Sequence, residues 1–200
     1  MPSAAQSQGP LDHLGLAART TMVENAGVDL RVLAIPQIIE LRGTPEEGFL
    51  SAVHQLIDIT PPKESPHTAL RDGLTCFWMG PDRWWLISEG APLLPSTDEL
   101  RQCLAGFEAS TVDIGEAFTG LAVSGPNARD VLAKGCTIDL HPRAFQPGEV
   151  VQTNLGKAQV ALFQVDKGTY RIYVRRSFAE YLWLWLEDAA AEYAFTIHVD

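Results

Sequence analysis

The stretch GLAVSGPNARDVLAKGCTIDLHP, residues 120–142, contains the pattern on which the fold prediction depends. An apolar run ends at Gly125, and Pro126 follows where the first turn of a helix accepts proline. Three apolar side chains then recur at helical spacing, at Ala128, Val131 and Leu132. Gly135 ends the helix after a basic residue, and a second apolar segment follows. The stretch therefore predicts a strand, a short helix and a second strand.

The tripeptide Lys134-Gly135-Cys136 inside this stretch suggests a chemical alternative, because a thiol beside a cation can become a reactive thiolate. Here the cysteine follows the C-terminus of the predicted helix, whose partial negative charge disfavours a thiolate. We therefore expect Cys136 to be a small buried side chain. A reactive cysteine is the less favoured alternative.

The same order of patterns occurs earlier in the chain. Residues 37–43, QIIELRG, form an apolar segment that ends in glycine. Thr44 and Pro45 then provide a candidate N-cap and a first helical residue. Gly43 and Gly125 occupy equivalent places in the two copies, and so do Asp58 and Asp139. The number of residues between the two glycines is nearly the same as the number between the two aspartates. This nearly constant spacing indicates an internal duplication.

Each copy continues into an aromatic hairpin and a helix. Gly-Pro-Asp at 80–82 and Asp-Lys-Gly at 166–168 have the turn chemistry of hairpins, and helical patterns follow at 97–107 and 177–193. The order strand, helix, strand, hairpin, helix is typical of α+β folds with antiparallel sheets and helices on one face. We predict a flexible tail at 1–10, a first α+β repeat at 11–110 and a second at 111–200.

Composition and charge exclude several classes of function. The chain has 200 residues, of which 46% are hydrophobic and 20% charged, and its formal net charge is −10. A negative chain without a basic patch offers no face to nucleic acid or to an anionic membrane. Three cysteines without a C-x-x-C pair indicate reduced thiols, and the first residues lack the pattern of a signal peptide. We expect a soluble, cytoplasmic protein whose partners include neither nucleic acid nor a membrane.

Known catalytic motifs do not occur in the sequence. Dinucleotide-binding, P-loop and nucleophile-elbow patterns are absent, and the five histidines lie apart without a ligand partner nearby. Asp113 stands before the first strand of the second copy, where a carboxylate could bind an amine or a pterin-like substrate. The favoured alternative is an aspartate that caps a turn at the strand end. We therefore predict no catalytic, cofactor-binding or metal-binding residue on this chain.

The last helical segment, SFAEYLWLWLEDAAAEY at 177–193, carries more apolar surface than one core needs. Ser177 and Glu180 have the spacing of a capping box, which would place the helix start. At about 100° per residue, one apolar stripe consists of Phe178, Tyr181, Leu182, Trp185, Leu186 and Ala189. Trp183 and Leu184 fall outside this stripe. Either the helix is enclosed on more than one side, or these two side chains meet another chain.

Adjacent tryptophans in the first hairpin raise the same question. Trp84 and Trp85 must point to opposite faces of a strand, so one of them needs a second apolar environment. Aromatic side chains are enriched at the centres of protein interfaces. We therefore take Trp84, Trp183 and Leu184 as candidate residues of an interface with a partner chain.

Four linked motifs occur in one order along nearly the whole chain, at 37–43, 78–88, 124–148 and 174–179. In this order they resemble the gamma subunit of heterotetrameric sarcosine oxidases, from about Leu11 to the C-terminus. The resemblance implies duplicated α+β units with the fold of the folate-binding domain of glycine-cleavage T-proteins. It also implies an accessory chain that packs against the large alpha subunit of the complex.

The same resemblance implies the reaction of the whole complex. That complex would oxidatively demethylate sarcosine to glycine, with oxygen as acceptor and hydrogen peroxide as product. With tetrahydrofolate present, the methyl carbon would leave as methylenetetrahydrofolate. FAD, FMN, NAD and tetrahydrofolate would lie on the partner subunits, so the resemblance assigns no cofactor and no catalytic residue to this chain.

Two alternatives belong to another class of function. They are a stand-alone folate-dependent aminomethyl or methylene transferase and a one-carbon-carrier binding protein. Related folate-fold proteins of iron–sulfur maintenance carry Lys-Gly-Cys followed by an aromatic residue and Gly-Gln-Glu. Here Cys136 continues as Thr-Ile-Asp, and this departure disfavours a folate-dependent role in iron–sulfur maintenance.

Overall fold

The computed structural model describes residues 9–20, 23–34, 36–88, 90 and 94–200. Residues 1–8 of the predicted tail lie outside the described residues. The first half of the chain forms β1 (Val28–Val32), β2 (Gln37–Gly43), α1 (Glu47–Ile57), β3 (Thr68–Arg71), β4 (Leu74–Gly80), β5 (Arg83–Ser88), α2 (Thr97–Cys103) and β6 (Ala109–Asp113). The second half forms β7 (Phe118–Ser124), α3 (Ala128–Ala133), β8 (Val150–Leu155), β9 (Ala158–Asp166), β10 (Thr169–Arg175), α4 (Ala179–Ala190) and β11 (Phe195–Val199).

These strands form two sheets. The first sheet has the order β3-β4-β5-β2-β6, and the second has the order β8-β9-β10-β7-β1-β11. Neighbouring strands pair antiparallel, except that β1 and β11 pair in parallel. The predicted α+β class with antiparallel sheets is confirmed.

The internal duplication is visible in the order of elements. The first copy runs β2, α1, β3, the β4–β5 hairpin and α2, and the second runs β7, α3, β8, the β9–β10 hairpin and α4. Corresponding strands also take corresponding places, since β3-β4-β5-β2 in one sheet matches β8-β9-β10-β7 in the other. The predicted sequence of strand, helix, strand, hairpin and helix therefore occurs twice.

The two copies exchange the strands that precede them. β1 comes before the first copy, but it pairs with β7 of the second, with Leu30 opposite Val123. β6 comes before the second copy, but it pairs with β2 of the first, with Leu41 opposite Thr111. Each sheet is therefore completed by the strand that comes before the other copy in the chain.

Apolar packing occurs in three places. α1 and α2 cover the outer face of the first sheet, around Phe49, Trp84 and Leu100. α3 and α4 cover the outer face of the second sheet, around Leu132 and Trp183. A third cluster joins the inner faces of the two sheets through Ile38, Phe77, Met79, Trp85, Ile87, Val150, Ala161, Phe163 and Tyr173. Both sheets are therefore covered on both faces over their central strands.

Several helix starts differ from the predicted ones. α1 begins at Glu47 with Glu46 as N-cap, so Thr44 and Pro45 precede the helix. α4 begins at Ala179 without a side-chain cap, because a 3-10 turn, Arg176–Phe178, carries the chain out of β10. The predicted capping box at Ser177 is therefore wrong.

Two further helix boundaries are displaced. α3 begins at Ala128 with Asn127 as N-cap, so Pro126 lies ahead of its first turn. α2 ends at Cys103, four positions before the predicted end, and the chain turns there as the Phe107 N–H donates to the Leu104 carbonyl at 3.0 Å. A capping box does occur in α2, where the Ser96 hydroxyl accepts from the backbone N–H of Glu99 at 3.2 Å.

Candidate partner surface on α4 and the cleft between the sheets

Trp84 is buried completely within its own chain. Its side chain is 0% exposed, its ring lies 5.6 Å from that of Phe49, and its Nε1 donates to the carbonyl of Pro62 at 2.7 Å. Trp85 faces the other sheet and donates to Glu40 Oε2 at 3.3 Å. The prediction of Trp84 as an interface residue is therefore wrong, because α1 covers one face of β5 and the second sheet covers the other.

Trp183 is also buried completely, with 0% of its side chain exposed, and its Nε1 donates to Glu187 Oε1 at 2.8 Å. The N-terminal residues explain this burial. Leu11 and Leu16 belong to the same apolar cluster as Trp183, and Arg19 forms an ion pair with Glu187 at 2.8 Å. The prediction of Trp183 as an interface residue is wrong, because the segment 11–19 encloses that side of α4.

Leu184 alone among the three predicted interface residues is exposed. Its side chain is 45% exposed, and that of Phe178, just before α4, is 43% exposed. Tyr181 and Trp185 lie between them on the same side of the helix and are half-buried. Phe178, Tyr181, Leu184 and Trp185 form a continuous apolar surface, which we call the α4 surface.

The two central rings of the α4 surface are fixed by close contacts with neighbouring loops. The Tyr181 hydroxyl accepts from the backbone N–H of Lys157 at 3.0 Å. The Trp185 ring lies so close to Gly135 that a Cβ there would be 2.4 Å from Trp185 Cζ2. Gly156 donates to the Gly135 carbonyl at 3.0 Å, so two glycines form the platform under the rings.

The predicted stripe is confirmed for Leu182, Leu186 and Ala189, which are buried. Tyr181 and Trp185 are half-buried and pack against the core cluster, whereas Phe178 is exposed. The buried face of α4 also contains Ala179, Trp183 and Ala190, which the predicted stripe did not include. The alanines allow α4 to lie close to the sheet, so the buried arc is centred on the small residues. A helical wheel that weights large side chains most heavily therefore rotates the predicted arc away from the observed one, although the two overlap.

α2, which corresponds to α4 in the first copy, provides an internal comparison. Its exposed side chains are polar or charged, namely Asp98, Glu99, Arg101 and Gln102. The duplicated fold therefore does not require an apolar outer face on this helix. The apolar side chains of the α4 surface belong to the second copy alone.

A cleft of about 710 Å³ lies beside the inner apolar cluster, between the two sheets. Its floor is apolar and includes Met79, Trp85 and Phe118, and the rings of Trp85 and Phe118 are 4.7 Å apart. Uncharged polar side chains from β8 and β9 line one wall, namely Gln152, Thr153, Asn154 and Gln159.

Among the residues that the structure describes, four charged side chains line the cleft, and three of them are arginines. Arg42 Nε donates to Glu40 Oε1 at 2.8 Å. Arg83 donates to the carbonyl of Met79 at 3.0 Å, and Arg175 lies 5.2 Å from the centre of the Phe118 ring. β2, β5 and β10 each contribute one arginine, so the cationic groups come from both sheets.

The three cysteine thiols lie against the apolar cores or bond to the backbone. Cys76 is completely buried, and burial raises the pKa of its thiol far above the ordinary value. Cys103 Sγ donates to the Ala52 carbonyl at 3.2 Å. Cys136 is half-buried rather than fully buried as predicted, packs against the α3–α4 core, and pairs with Leu155 as an isolated bridge.

Asp113 caps a turn at the end of β6, as the favoured interpretation of the sequence predicted. Its Oδ1 accepts from the backbone N–H of Gly115 at 2.9 Å, which caps the turn before β7. Asp139 has the same role, since its Oδ1 accepts from the N–H of His141 at 2.8 Å. Within the described ranges, no group of three or more His, Cys, Asp or Glu side chains could hold a metal ion. No helix in this part of the chain has the length and apolar character needed to cross a membrane.

Comparison with known proteins gives consistent results. The model of the sarcosine oxidase gamma subunit family matches residues 42–192. The sarcosine oxidase subunit gamma of Corynebacterium sp. (strain P-1) is 32% identical over 195 residues, which are 96% of this chain and 94% of that relative.

Two solved structures are similar to this one. A chain of the heterotetrameric sarcosine oxidase from Corynebacterium sp. U-96 is 30% identical, with a TM-score of 0.84 over 94% of this chain and 96% of that chain. The glycine cleavage system aminomethyltransferase T of Bartonella henselae is 17% identical, with a TM-score of 0.61 over 94% of this chain and 51% of that chain. This second match confirms the predicted T-protein-like fold. By the family match and the identity over nearly its whole length, the chain belongs to the sarcosine oxidase gamma subunit family.

Proposed function

We propose that this chain is the accessory, non-catalytic gamma subunit of a heterotetrameric sarcosine oxidase and that it packs against the large alpha subunit through the α4 surface. Membership of the gamma subunit family supports the role as a subunit. The exposed apolar side chains of the α4 surface carry the proposal about packing. Rings held in fixed positions lose little conformational entropy when a partner covers them, which favours association.

The reaction belongs to the partner subunits in this proposal. They would hold FAD, FMN, NAD and tetrahydrofolate and would oxidatively demethylate sarcosine to glycine, with hydrogen peroxide and methylenetetrahydrofolate as products. This chain would contribute surface and rigidity but no reacting group, and the complex would act in the cytoplasm. The hydrogen bonds that tie Asp113 and Asp139 into turns support the absence of a catalytic carboxylate at either position.

Substitution of Leu184 by glutamate tests the packing proposal. A carboxylate within a dry apolar contact would lie desolvated and unpaired, so we expect Leu184→Glu to weaken association with the alpha subunit by about tenfold or more. The measurement is the amount of alpha subunit that co-purifies with a tagged gamma chain after co-expression of all four subunits, together with the rate of sarcosine oxidation.

Gln102→Glu is the matched control, since it places the same carboxylate on the exposed face of α2. We expect it to leave co-purification unchanged. A Leu184→Glu chain that retains full stoichiometry and full oxidase activity would show that the α4 surface faces solvent in the complex. If the purified gamma chain alone transferred a one-carbon unit to or from tetrahydrofolate, the alternative of a stand-alone transferase would replace the accessory role.

A further inference from the structure

The cleft between the sheets has a charge opposite to that of the chain as a whole. The chain has a formal net charge of −10, yet the cleft contains three arginines and one glutamate. A concave site with low-dielectric walls concentrates the field of the charges that line it. The cleft is therefore a local cationic site on an acidic protein.

Among the described residues Glu40 is the one carboxylate that lines the cleft, and each of its oxygens accepts a hydrogen bond. Glu40 Oε1 accepts from Arg42 at 2.8 Å, and Glu40 Oε2 accepts from the Trp85 indole at 3.3 Å. Glu40 therefore balances Arg42 and leaves the other two guanidinium groups uncompensated. Among the described residues, Arg83 and Arg175 contact only uncharged groups, namely the Met79 carbonyl, the Gln152 amide and the Phe118 ring.

Arg83 is held in place rather than free to turn. One of its terminal nitrogens donates to the Met79 carbonyl at 3.0 Å, and the Gln152 amide donates to the same carbonyl at 2.9 Å. This side chain is half-buried, so its charge is less screened than at an open surface. A planar guanidinium in a fixed position is the group that best recognises a carboxylate or a phosphate in two-point contact.

We propose that this cleft binds a small organic anion, with its carboxylate or phosphate group between Arg83 and Arg175 and its apolar part on the floor beside Phe118. The volume of about 710 Å³ lies within the range of roughly 300–1,000 Å³ that is typical of small-molecule sites. The amides of Gln152, Asn154 and Gln159 provide further hydrogen-bonding groups along the wall.

Matched anionic and neutral compounds test the proposal on the purified full-length chain. Benzoate and phenyl phosphate carry the two candidate anionic groups, and benzamide is the neutral analogue of benzoate. Isothermal titration calorimetry at low salt should give a dissociation constant of about 1 mM or lower for at least one anion, with benzamide at least tenfold weaker. The stronger of the two anions identifies the preferred group.

Substitutions of cleft residues test whether the anion binds in the cleft. Arg83→Gln and Arg175→Gln should each weaken anion binding by roughly tenfold, whereas Glu40→Gln should strengthen it because Arg42 would lose its counter-charge. Arg143→Gln is the control, since it removes the same charge from an exposed loop outside the cleft. A thermal melt of each variant separates loss of binding from loss of folding. Arg175 is exposed, so we expect its substitution to lower the melting temperature only slightly, through the loss of its contact with Phe118.

Three results would overturn the proposal. They are equal binding of benzoate and benzamide, no binding of either anion, and equal weakening by Arg143→Gln and Arg175→Gln. If Arg175→Gln blocked co-purification of the alpha subunit and left anion binding unchanged, the arginines would belong to a protein interface instead. Because the titration uses the gamma chain alone, its outcome is independent of the proposed role in the complex.

Discussion

Gly135 decides how closely the loop after α3 can approach α4. A Cβ there would overlap the Trp185 ring, 2.4 Å from Cζ2, so any other residue requires the ring or the loop to shift. Gly135 is therefore needed for the close approach of the Trp185 ring, and not for a left-handed residue at the end of α3. We conclude that the Lys-Gly-Cys tripeptide has a structural role. Lys134 supports the same packing, because its Nζ donates to the Ala189 carbonyl at the end of α4.

We expect Gly135→Ala to destabilise the chain by about 1–3 kcal/mol, the usual cost of forcing an extra carbon into a packed site. The free energy of unfolding in urea measures this cost. Gly106→Ala is the control, because a Cβ at Gly106 would meet nothing within 4 Å; the same change there should be neutral or slightly stabilising. Equal stability of the two variants would show that the Trp185 ring moves aside freely.

Single residues were predictable from sequence where neighbours along the chain determine their role. Asp113 is an example, since its partner is the backbone two residues later. Trp183 was not predictable in this way. Its burial depends on Leu11 and Leu16, which are remote in sequence and give no periodic signal that ties them to α4.

Helix α2 shows how a capping box depends on its surroundings. Hydrogen bonds from the backbone N–H and the hydroxyl of Ser96 lower the pKa of the Glu99 carboxyl. The S-x-x-E pattern occurs at Ser177 as well, but a 3-10 turn occupies that position. The sequence contains the same signal twice, and only the path of the chain out of β10 distinguishes the two cases.

Ser96→Ala should destabilise the chain by about 1 kcal/mol near neutral pH, the typical cost of losing an N-cap. A lowered carboxyl pKa stabilises the folded state above the unfolded-state pKa, and this stabilisation disappears as the pH falls through the folded-state pKa. The difference between wild type and Ser96→Ala should therefore shrink when urea unfolding is repeated near pH 3, at about one unit below the ordinary carboxyl pKa.

Ser177→Ala is the control for this prediction, because α4 has no side-chain cap. We expect it to change the free energy of unfolding little at either pH. A loss of stability at Ser177 equal to that at Ser96 would mean that the capping box predicted from sequence exists in solution.

At the scale of the whole molecule, the duplication was predictable and the exchange of strands was not. The constant spacing along the sequence between equivalent residues reveals two copies, because the same local patterns occur in both. The partners of β1 and β6 lie in the other copy, and strand pairing at that distance leaves no mark on hydrophobic periodicity. The cleft was missed for the same reason, since its arginines come from strands of both sheets.

Removal of β1 tests the importance of the exchange. β1 lies between β7 and β11 and buries Val28 and Leu30 completely, so a chain that begins at residue 36 leaves β11 without a partner and one edge of β7 unpaired. We expect this chain to lose its cooperative unfolding transition and to aggregate. A chain that begins at residue 9 is the control and should unfold as the full chain does. Cooperative unfolding of the shorter chain, followed by circular dichroism in urea, would contradict a structural role for β1.

The position of β1 also bears on synthesis. Domains commonly fold in order as they leave the ribosome, but β1 is made early and has its neighbours β7 and β11 only later, with β11 ending at Val199. Its apolar residues therefore stay without their first neighbouring strand until β7 has been made and without the second until β11 has been made. Exposed apolar segments make an incomplete chain prone to aggregation, so the early synthesis of β1 creates a period in which the nascent chain is vulnerable.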